Sequence, residues 1–204
     1  MNLKKLTVAV DIDETLSDHA EDFIKFSNSI HGTNLKVTDY SEHWSEMFSI
    51  DARGVENLYL KLNDQGMYRE LKHKVDSVNV LNKLKQKYEL IIVTSRKTML
   101  REDTLEWLSH RYPGVFSDVH FAGIWDEIND KSIHLTKKEI IQQVGADFLI
   151  DDQPKHCEAV ANAGVQAILF GDYAWNRDYM PHKNQIKLHD WAAVGEYLWN
   201  LDLK

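Results

Sequence analysis

The stretch Leu6-Thr7-Val8-Ala9-Val10-Asp11-Ile12-Asp13-Glu14-Thr15-Leu16 decides how this chain reads. An apolar, β-branched run passes without a polar break into an acid, the signature of a short strand buried on both faces, and such strands belong to parallel sheets. Four further runs repeat the pattern: Leu90 to Thr94, Val119 to Gly123, Phe148 to Asp151 and Val165 to Phe170. Segments of helical period with end signals lie between them. Thr98 precedes Leu100, Leu105 and Leu108. Thr136 precedes Ile140, Ile141 and Val144, with Gly145 closing, and Pro154 opens a segment that Gly164 closes. Alternating strand and helix predicts right-handed βαβ units: an α/β protein whose parallel sheet is covered by helices on both faces, three layers in all.

One interval breaks the alternation. From Asp11 to Leu90 the chain runs roughly 75 residues, where one crossover helix needs about a dozen. Within it, Ser17 to Ile30 is amphipathic through Phe23, Ile24 and Phe26 and stops at Gly32. Asp51 stands as a cap before Val55, Leu58, Tyr59 and Leu62, and Gly66 stops that run. These signals predict a small α-helical cap over residues 17–76, inserted after the first strand, with 1–16 and 77–204 forming the core. Ser77 to Tyr88 is the crossover helix that returns the chain to the sheet.

The bulk properties narrow the classes. With 204 residues, one domain carrying an insertion is the expectation. Hydrophobic residues at 43% beside nine Gly and three Pro exclude collagen-like and mostly disordered chains. The longest aliphatic run, Leu90 to Val93, falls far short of the 18 or so residues of a membrane span. The apolar stretch after Lys4 and Lys5 ends at Asp11, too soon for the core of an export signal. The single cysteine, Cys157, can form no intrachain disulfide, which suits a reducing compartment, so a cytoplasmic location is expected. A formal charge of −8 repels a phosphate backbone, so long nucleic acid and membrane are not expected as partners; a homodimer is compatible with the sequence.

In an open parallel sheet the crevice beyond the carboxyl ends of the strands is where ligands bind, and the acids of this sequence gather there. Asp11 ends the first strand and Asp13 follows two residues on, a pair able to divide the work of nucleophile and proton donor if a cation or hydrogen bonds keep their protonation apart. Two other readings compete: a capping turn, in which Asp13 or Thr15 satisfies free backbone donors, and a calcium loop. The calcium loop needs Gly where Leu16 stands, and a helix where the strand stands. Thr94-Ser95-Arg96 ends the second strand and offers donors to phosphate oxygens, although Thr94 could equally cap the next helix. Asp151-Asp152 ends the fourth strand; a cap for the helix at Pro154 explains one of these acids and leaves the other in need of a cation. Lys137 and Lys138 open a helix, where the macrodipole disfavours cations, so something else must favour one of them.

Through Asp11-x-Asp13-x-Thr15, Thr94, Lys137 and Asp151-Asp152, taken in order at strand ends, the chain resembles the haloacid dehalogenase superfamily of phosphotransferases. The resemblance implies a Rossmann-like core and a magnesium ion as cofactor. It implies Asp11 as the nucleophile that becomes an aspartyl phosphate and Asp13 as general acid and base. Thr94, with Ser95, would hold the phosphoryl oxygens and Lys137, preferred to Lys138 for its spacing to Asp151, would neutralise charge. Magnesium would sit on Asp11, Asp151 and the backbone carbonyl of Asp13. Phe148 to Asp152, Leu169 to Asp172, Trp175-Asn176-Arg177 and the segment from Asp190-Trp191 look similar to the 5′(3′)-deoxyribonucleotidases, the cytosolic type C 5′-nucleotidases and their bacterial relatives. The expected activity is hydrolysis of a small phosphomonoester, a (deoxy)nucleoside monophosphate first, with a sugar phosphate or a phosphoprotein as alternatives and a silent nucleotide-binding module as the remaining one. Glu14 also occurs in the phosphoprotein branch, but the insertion argues against an open site. Phe23, Phe26, Trp44, Phe48, Tyr59 and Tyr68 supply aromatic faces to the cap; most serve its core, and one or two are left to stack a base.

Overall fold

The computed structural model describes residues 5–123 and 135–202. Lys4 of the stretch read for an export signal lies outside them, as do the extreme ends of the two core segments. Six strands form one parallel sheet: β1 (Thr7–Val10), β2 (Glu89–Thr94), β3 (Asp118–Phe121), β4 (Phe148–Asp151), β5 (Gln166–Phe170) and β6 (Gln185–Leu188), in the order β3-β2-β1-β4-β5-β6. β1 pairs with β2 on one side, Val10 beside Ile92, and with β4 on the other, Val10 beside Ile150. The connections run outward in opposite directions from that point, which opens a crevice at the carboxyl ends of β1 and β4.

Alternation along each strand sorts the core into two layers. Val8, Val10, Ile92, Ile150 and Ile168 face one side, and Ala9, Ile91, Val93, Leu149 and Leu169 the other. α5 (Val75–Leu84), α6 (Arg101–Arg111) and α9 (Trp191–Asn200) cover the first face; α7 (Lys137–Val144) and α8 (Pro154–Ala161) cover the second. α7 starts with a reciprocal capping box, Thr136 Oγ1 accepting from the Glu139 amide while the Glu139 carboxylate accepts from the Thr136 amide, and Gly145 closes it at φ 66°. Pro154 occupies the first turn of α8, and Asp190 caps α9 by accepting from the Ala193 amide. The far end of α9 is fastened as well: Lys87 Nζ donates to the carbonyls of Trp199 (2.8 Å) and Leu201 (2.7 Å), and Tyr88 Oη to that of Leu198 (2.6 Å).

Between β1 and α5 lie α1 (His19–His31), α2 (Trp44–Met47), α3 (Ala52–Asp64) and α4 (Met67–Glu70). Phe23 stacks on Trp44 at 4.3 Å and Trp44 on Tyr59 at 4.2 Å, and these rings continue into the apolar cluster on the sheet. The chain enters and leaves this region side by side, the Asp18 amide donating to the Lys72 carbonyl and the Lys74 amide to that of Leu16. Trp107 of α6 donates its indole N–H to the Leu71 carbonyl at 2.8 Å. Among the described residues no helix is long and apolar enough to cross a membrane.

The structure departs from the sequence expectation in three places. β6 is a sixth strand where five were expected: an edge strand has one neighbour and one half-covered face, so Gln185-Ile186-Lys187-Leu188 alternates and carries no solid apolar run. Thr98 does not cap α6; a 3₁₀ turn over Thr98–Leu100 runs directly into it. The crossover helix starts at Val75 rather than Ser77 and ends at Leu84.

Candidate active site

Asp11 follows the last residue of β1, and its amide donates to the Ile150 carbonyl of β4, so the neighbouring strand sets its position. Lys137, from the first turn of α7, places its ammonium between two carboxylates, 2.7 Å from Asp11 Oδ1 and 2.6 Å from Asp151 Oδ2. All three side chains are buried. Burial so deep is costly for an ammonium unless it is paired, and pairing to two anions answers the opposition of the helix dipole. Burial drives the Asp11 carboxyl up to about 7 against the lowering effect of Lys137, and Asp151 and Asp13 push the same way. Lys138, the other cation considered, is exposed.

Asp152 completes a buried acidic cluster. One oxygen each from Asp11, Asp151 and Asp152 lies within 4.8 Å of the others, close enough to share a cation. Burial, then Asp151, Asp11 and Glu14, lift Asp152 well above the usual carboxylate range. Three carboxylates against one ammonium leave a deficit of positive charge in a dry crevice, and the donors are hard oxygens. That set fits a small divalent cation such as magnesium.

Asp13 has a different environment. Its carboxylate stands outside the acidic cluster and is gripped by Arg96, with Nη2 2.6 Å from Oδ1 and Nε 3.0 Å from Oδ2. Arg96 is itself fixed by Thr104 Oγ1 at 3.1 Å and lies over the rings of Tyr68 and Trp107. Burial alone would raise the Asp13 carboxyl, but the Arg96 guanidinium, helped by His19 and Lys137, holds it down at about 2. The two acids of the motif are therefore separated in protonation, but in the sense opposite to the one an attack by Asp11 with proton donation by Asp13 requires, so a cation or a ligand must reverse it. Arg96 was read from the sequence as a residue that could reach substrate; the structure makes it the clamp of Asp13, a pairing across 83 positions that no local pattern encodes.

A pocket with about 80 Å³ of free space opens over these groups, lined by Asp11, Asp13, Ser95, Arg96 and Lys137 below and by His19, Tyr40, Trp44, Tyr59 and Tyr68 above. Among the described residues, Ser95 Oγ and Tyr68 Oη are buried with no protein partner. Thr94 is not among the lining residues; its Oγ1 accepts from the Arg96 amide at 3.2 Å and shapes the turn. Of the aromatic residues expected in the cap, Phe23, Phe26 and Phe48 pack in or against the apolar cluster, whereas Trp44, Tyr59 and Tyr68 reach the pocket. His156 lines it too, and burial lowers its imidazole to about 4. His19, His156 and Tyr40 were not singled out from sequence, because each is an isolated residue with no motif around it.

The turn after β5 carries Trp175-Asn176-Arg177, one of the segments in which the resemblance to the deoxyribonucleotidases lies. It is ordered around Asp152: Asn176 Nδ2 donates to the carbonyls of Asp152 and Phe170, both at 2.9 Å, and Trp175 Nε1 donates to Asp152 Oδ2 at 2.7 Å.

Comparison with known proteins gives the family and the fold. The profile of the family described as 5′ nucleotidase, deoxy (Pyrimidine), cytosolic type C protein matches residues 4–201. A nucleotidase of Clostridium acetobutylicum is 23% identical over 197 residues, covering 94% of this chain and 93% of its own. Among solved structures, a haloacid dehalogenase-like family hydrolase from Streptococcus pneumoniae superposes with a TM-score of 0.69 at 13% identity, over 95% of this chain and 98% of that one. The HAD-type protein YfnB of Bacillus subtilis, solved bound to magnesium, superposes with a TM-score of 0.60 at 14% identity, over 98% and 100%.

Proposed function

This chain belongs to the cytosolic type C 5′ nucleotidase family and is a hydrolase of the phosphatase class, and from that premise we propose that it is a cytoplasmic, magnesium-dependent nucleotidase that cleaves (deoxy)nucleoside monophosphates through a phosphorylated Asp11. The observation that carries the proposal is the Lys137 ammonium bound to both Asp11 and Asp151 at the mouth of the strand crevice. Asp11, Asp151 and Asp152, with the Asp13 carbonyl, would hold the metal, which supplies positive charge to offset repulsion between an anionic nucleophile and a phosphate dianion.

Asp11 attacks phosphorus in line, the P–O bond to the sugar breaks, and the departing alkoxide takes a proton from Asp13. Water then attacks the aspartyl phosphate while Asp13 takes its proton, and inorganic phosphate leaves with Asp11 restored. Paired with Arg96, Asp13 is ionised and set for the second half of this cycle. For the first half it must carry a proton, which the substrate permits by drawing Arg96 away from it. Ser95 Oγ, which lines the same pocket as Asp11 and has no partner among the described residues, would donate to a phosphoryl oxygen. Lys137 neutralises the nucleophile and the incoming phosphate. The helices between β1 and α5 act as the cap that excludes water and protein-sized substrates.

The test is phosphate release from deoxy- and ribonucleoside 5′- and 3′-monophosphates, sugar phosphates and a phosphoserine peptide, with and without magnesium. Release concentrated on nucleotides, dependent on magnesium, and lower by roughly 1,000-fold or more in Asp11→Asn is the expected outcome. Sugar phosphates as the best substrates would replace the substrate assignment, and full turnover by Asp11→Asn would refute the mechanism.

A further inference from the structure

Asp152 is the member of the acidic cluster that Lys137 does not touch, so something else must fix it. Its carboxylate receives two donors, Trp175 Nε1 at 2.7 Å and Gln153 Nε2 at 3.0 Å, and both fall on Oδ2. Oδ1 is left without a protein donor among the described residues. The indole is held rigidly. Its ring stacks on Tyr173 at 4.9 Å with an interplanar angle of 8°, and Tyr173 Oη donates to the Glu14 carbonyl at 2.6 Å, in the loop that carries Asp11 and Asp13. Asn176 ties the same turn to the Asp152 carbonyl, and Lys187 of β6 donates to the carbonyls of Asn176 (2.7 Å) and Arg177 (2.8 Å). Two strand ends that must bring their carboxylates to one cation are thus bridged by a stacked pair of aromatic rings.

We infer that Trp175 is a positioning residue for the cation site: it fixes the Asp152 carboxylate by one indole hydrogen bond and, through its stack on Tyr173, sets Asp152 against the Asp11 loop. The inference rests on the reading of the acidic cluster as a metal site. A donor to a ligating carboxylate orients it and directs its free oxygen, and losing such a donor typically lowers metal affinity or activity by about 10- to 100-fold. Trp175 belongs to a turn beyond β5, away from the motif acids in sequence, and within the acidic cluster its indole N–H donates to Asp152 Oδ2 and not to Asp11, so its effect falls on the cation rather than on Asp11.

The experiment is calorimetric titration of the metal-free full-length chain with magnesium alone, for the wild type, Trp175→Phe and Asp151→Asn. Phenylalanine keeps an aromatic ring for the stack on Tyr173 and removes the N–H together with the five-membered ring that carries it. The expected result is a magnesium Kd raised about 10- to 100-fold in Trp175→Phe, with thermal stability retained and nucleotide KM at saturating magnesium unchanged. Wild-type affinity in Trp175→Phe, with binding abolished in Asp151→Asn, overturns this inference and leaves the metal site standing. No magnesium binding by the wild type overturns both. Should Trp175→Phe not fold, the indole N–H signals of the ¹⁵N-labelled wild type, six in number, give the same reading. The one that moves in Asp152→Asn must shift on magnesium addition with the calorimetric midpoint, and its indifference overturns the inference.

Discussion

Glu14 shows how a single residue in the loop that carries Asp11 and Asp13 is held against its own chemistry. It adopts φ 61°, is buried, and its Oε1 accepts from the Ala20 amide while its carbonyl accepts from Tyr173. Burial carries its carboxyl from 4.5 up to about 8 despite the Ala20 hydrogen bond, and Asp13 adds to the rise. A carboxyl raised in the folded state stabilises fully below its unfolded value of 4.5 and loses that contribution as pH climbs through about 8. In metal-free protein, melting temperature should therefore fall between pH 5 and 8.5, and Glu14→Gln should flatten part of that fall, gaining on the order of 1–3 kcal/mol at pH 8. Asp11, raised to about 7, keeps some slope in the variant; an unaltered profile would show that Glu14 titrates as in solvent. Asp11 and Asp151 were legible as candidates because each ends an apolar run, and a cation in the first turn of α7 called for a partner, although only the resemblance favoured Lys137 over Lys138. Sequence could not reveal Arg96 on Asp13 or Trp175 on Asp152, since those partners meet only after the sheet has formed.

At the scale of elements, the turn after β5 depends on one position. Gly171 has φ 84°, and a Cβ there would lie 2.2 Å from the Tyr173 ring. Gly171→Ala should displace Tyr173 from the Glu14 carbonyl, costing about 1–3 kcal/mol of stability and a clear loss of turnover; chemical denaturation beside an activity assay reads both, and a variant of wild-type stability would contradict the contact. The turn was legible as a loop, whereas β6, which supplies Lys187 to hold it, was not. Lys187 donates to the carbonyls of Asn176 and Arg177 from a strand whose alternation resembles any amphipathic edge. The buried strands were legible to within a residue or two because burial on both faces removes every polar position. Where one neighbour suffices, that signal fades.

For the molecule as a whole, about 80 Å³ of pocket compares with roughly 300–1,000 Å³ for sites that take small organic ligands. A nucleoside monophosphate, the proposed substrate, is larger than that space, which predicts that the helices above the sheet shift when it enters. Among the described residues three ion pairs cross that boundary, Lys97 with Glu56 of α3, Lys155 of α8 with Glu42 and Arg69 of α4 with Asp103 of α6, and Tyr40 packs on Trp175 at 5.7 Å. Pairs of this kind contribute about 0.2–1 kcal/mol each. The double variant Lys97→Gln/Lys155→Gln should speed amide exchange in α2 and α3 by roughly 2- to 20-fold while β1 and β4 exchange as before; equal rates throughout would mean that opening does not break these pairs. The other anchor of the site lies at the opposite end of the chain. Trp191 at the start of α9 donates its indole N–H to the Thr15 carbonyl at 2.9 Å, so the loop made first is finished by a helix made late. During synthesis the motif acids emerge from the ribosome ahead of α9 and wait for it to clear the exit tunnel. A nascent chain stalled before Trp191 would display those acids without the indole that holds the Thr15 carbonyl, and the loop would be completed only once α9 has emerged.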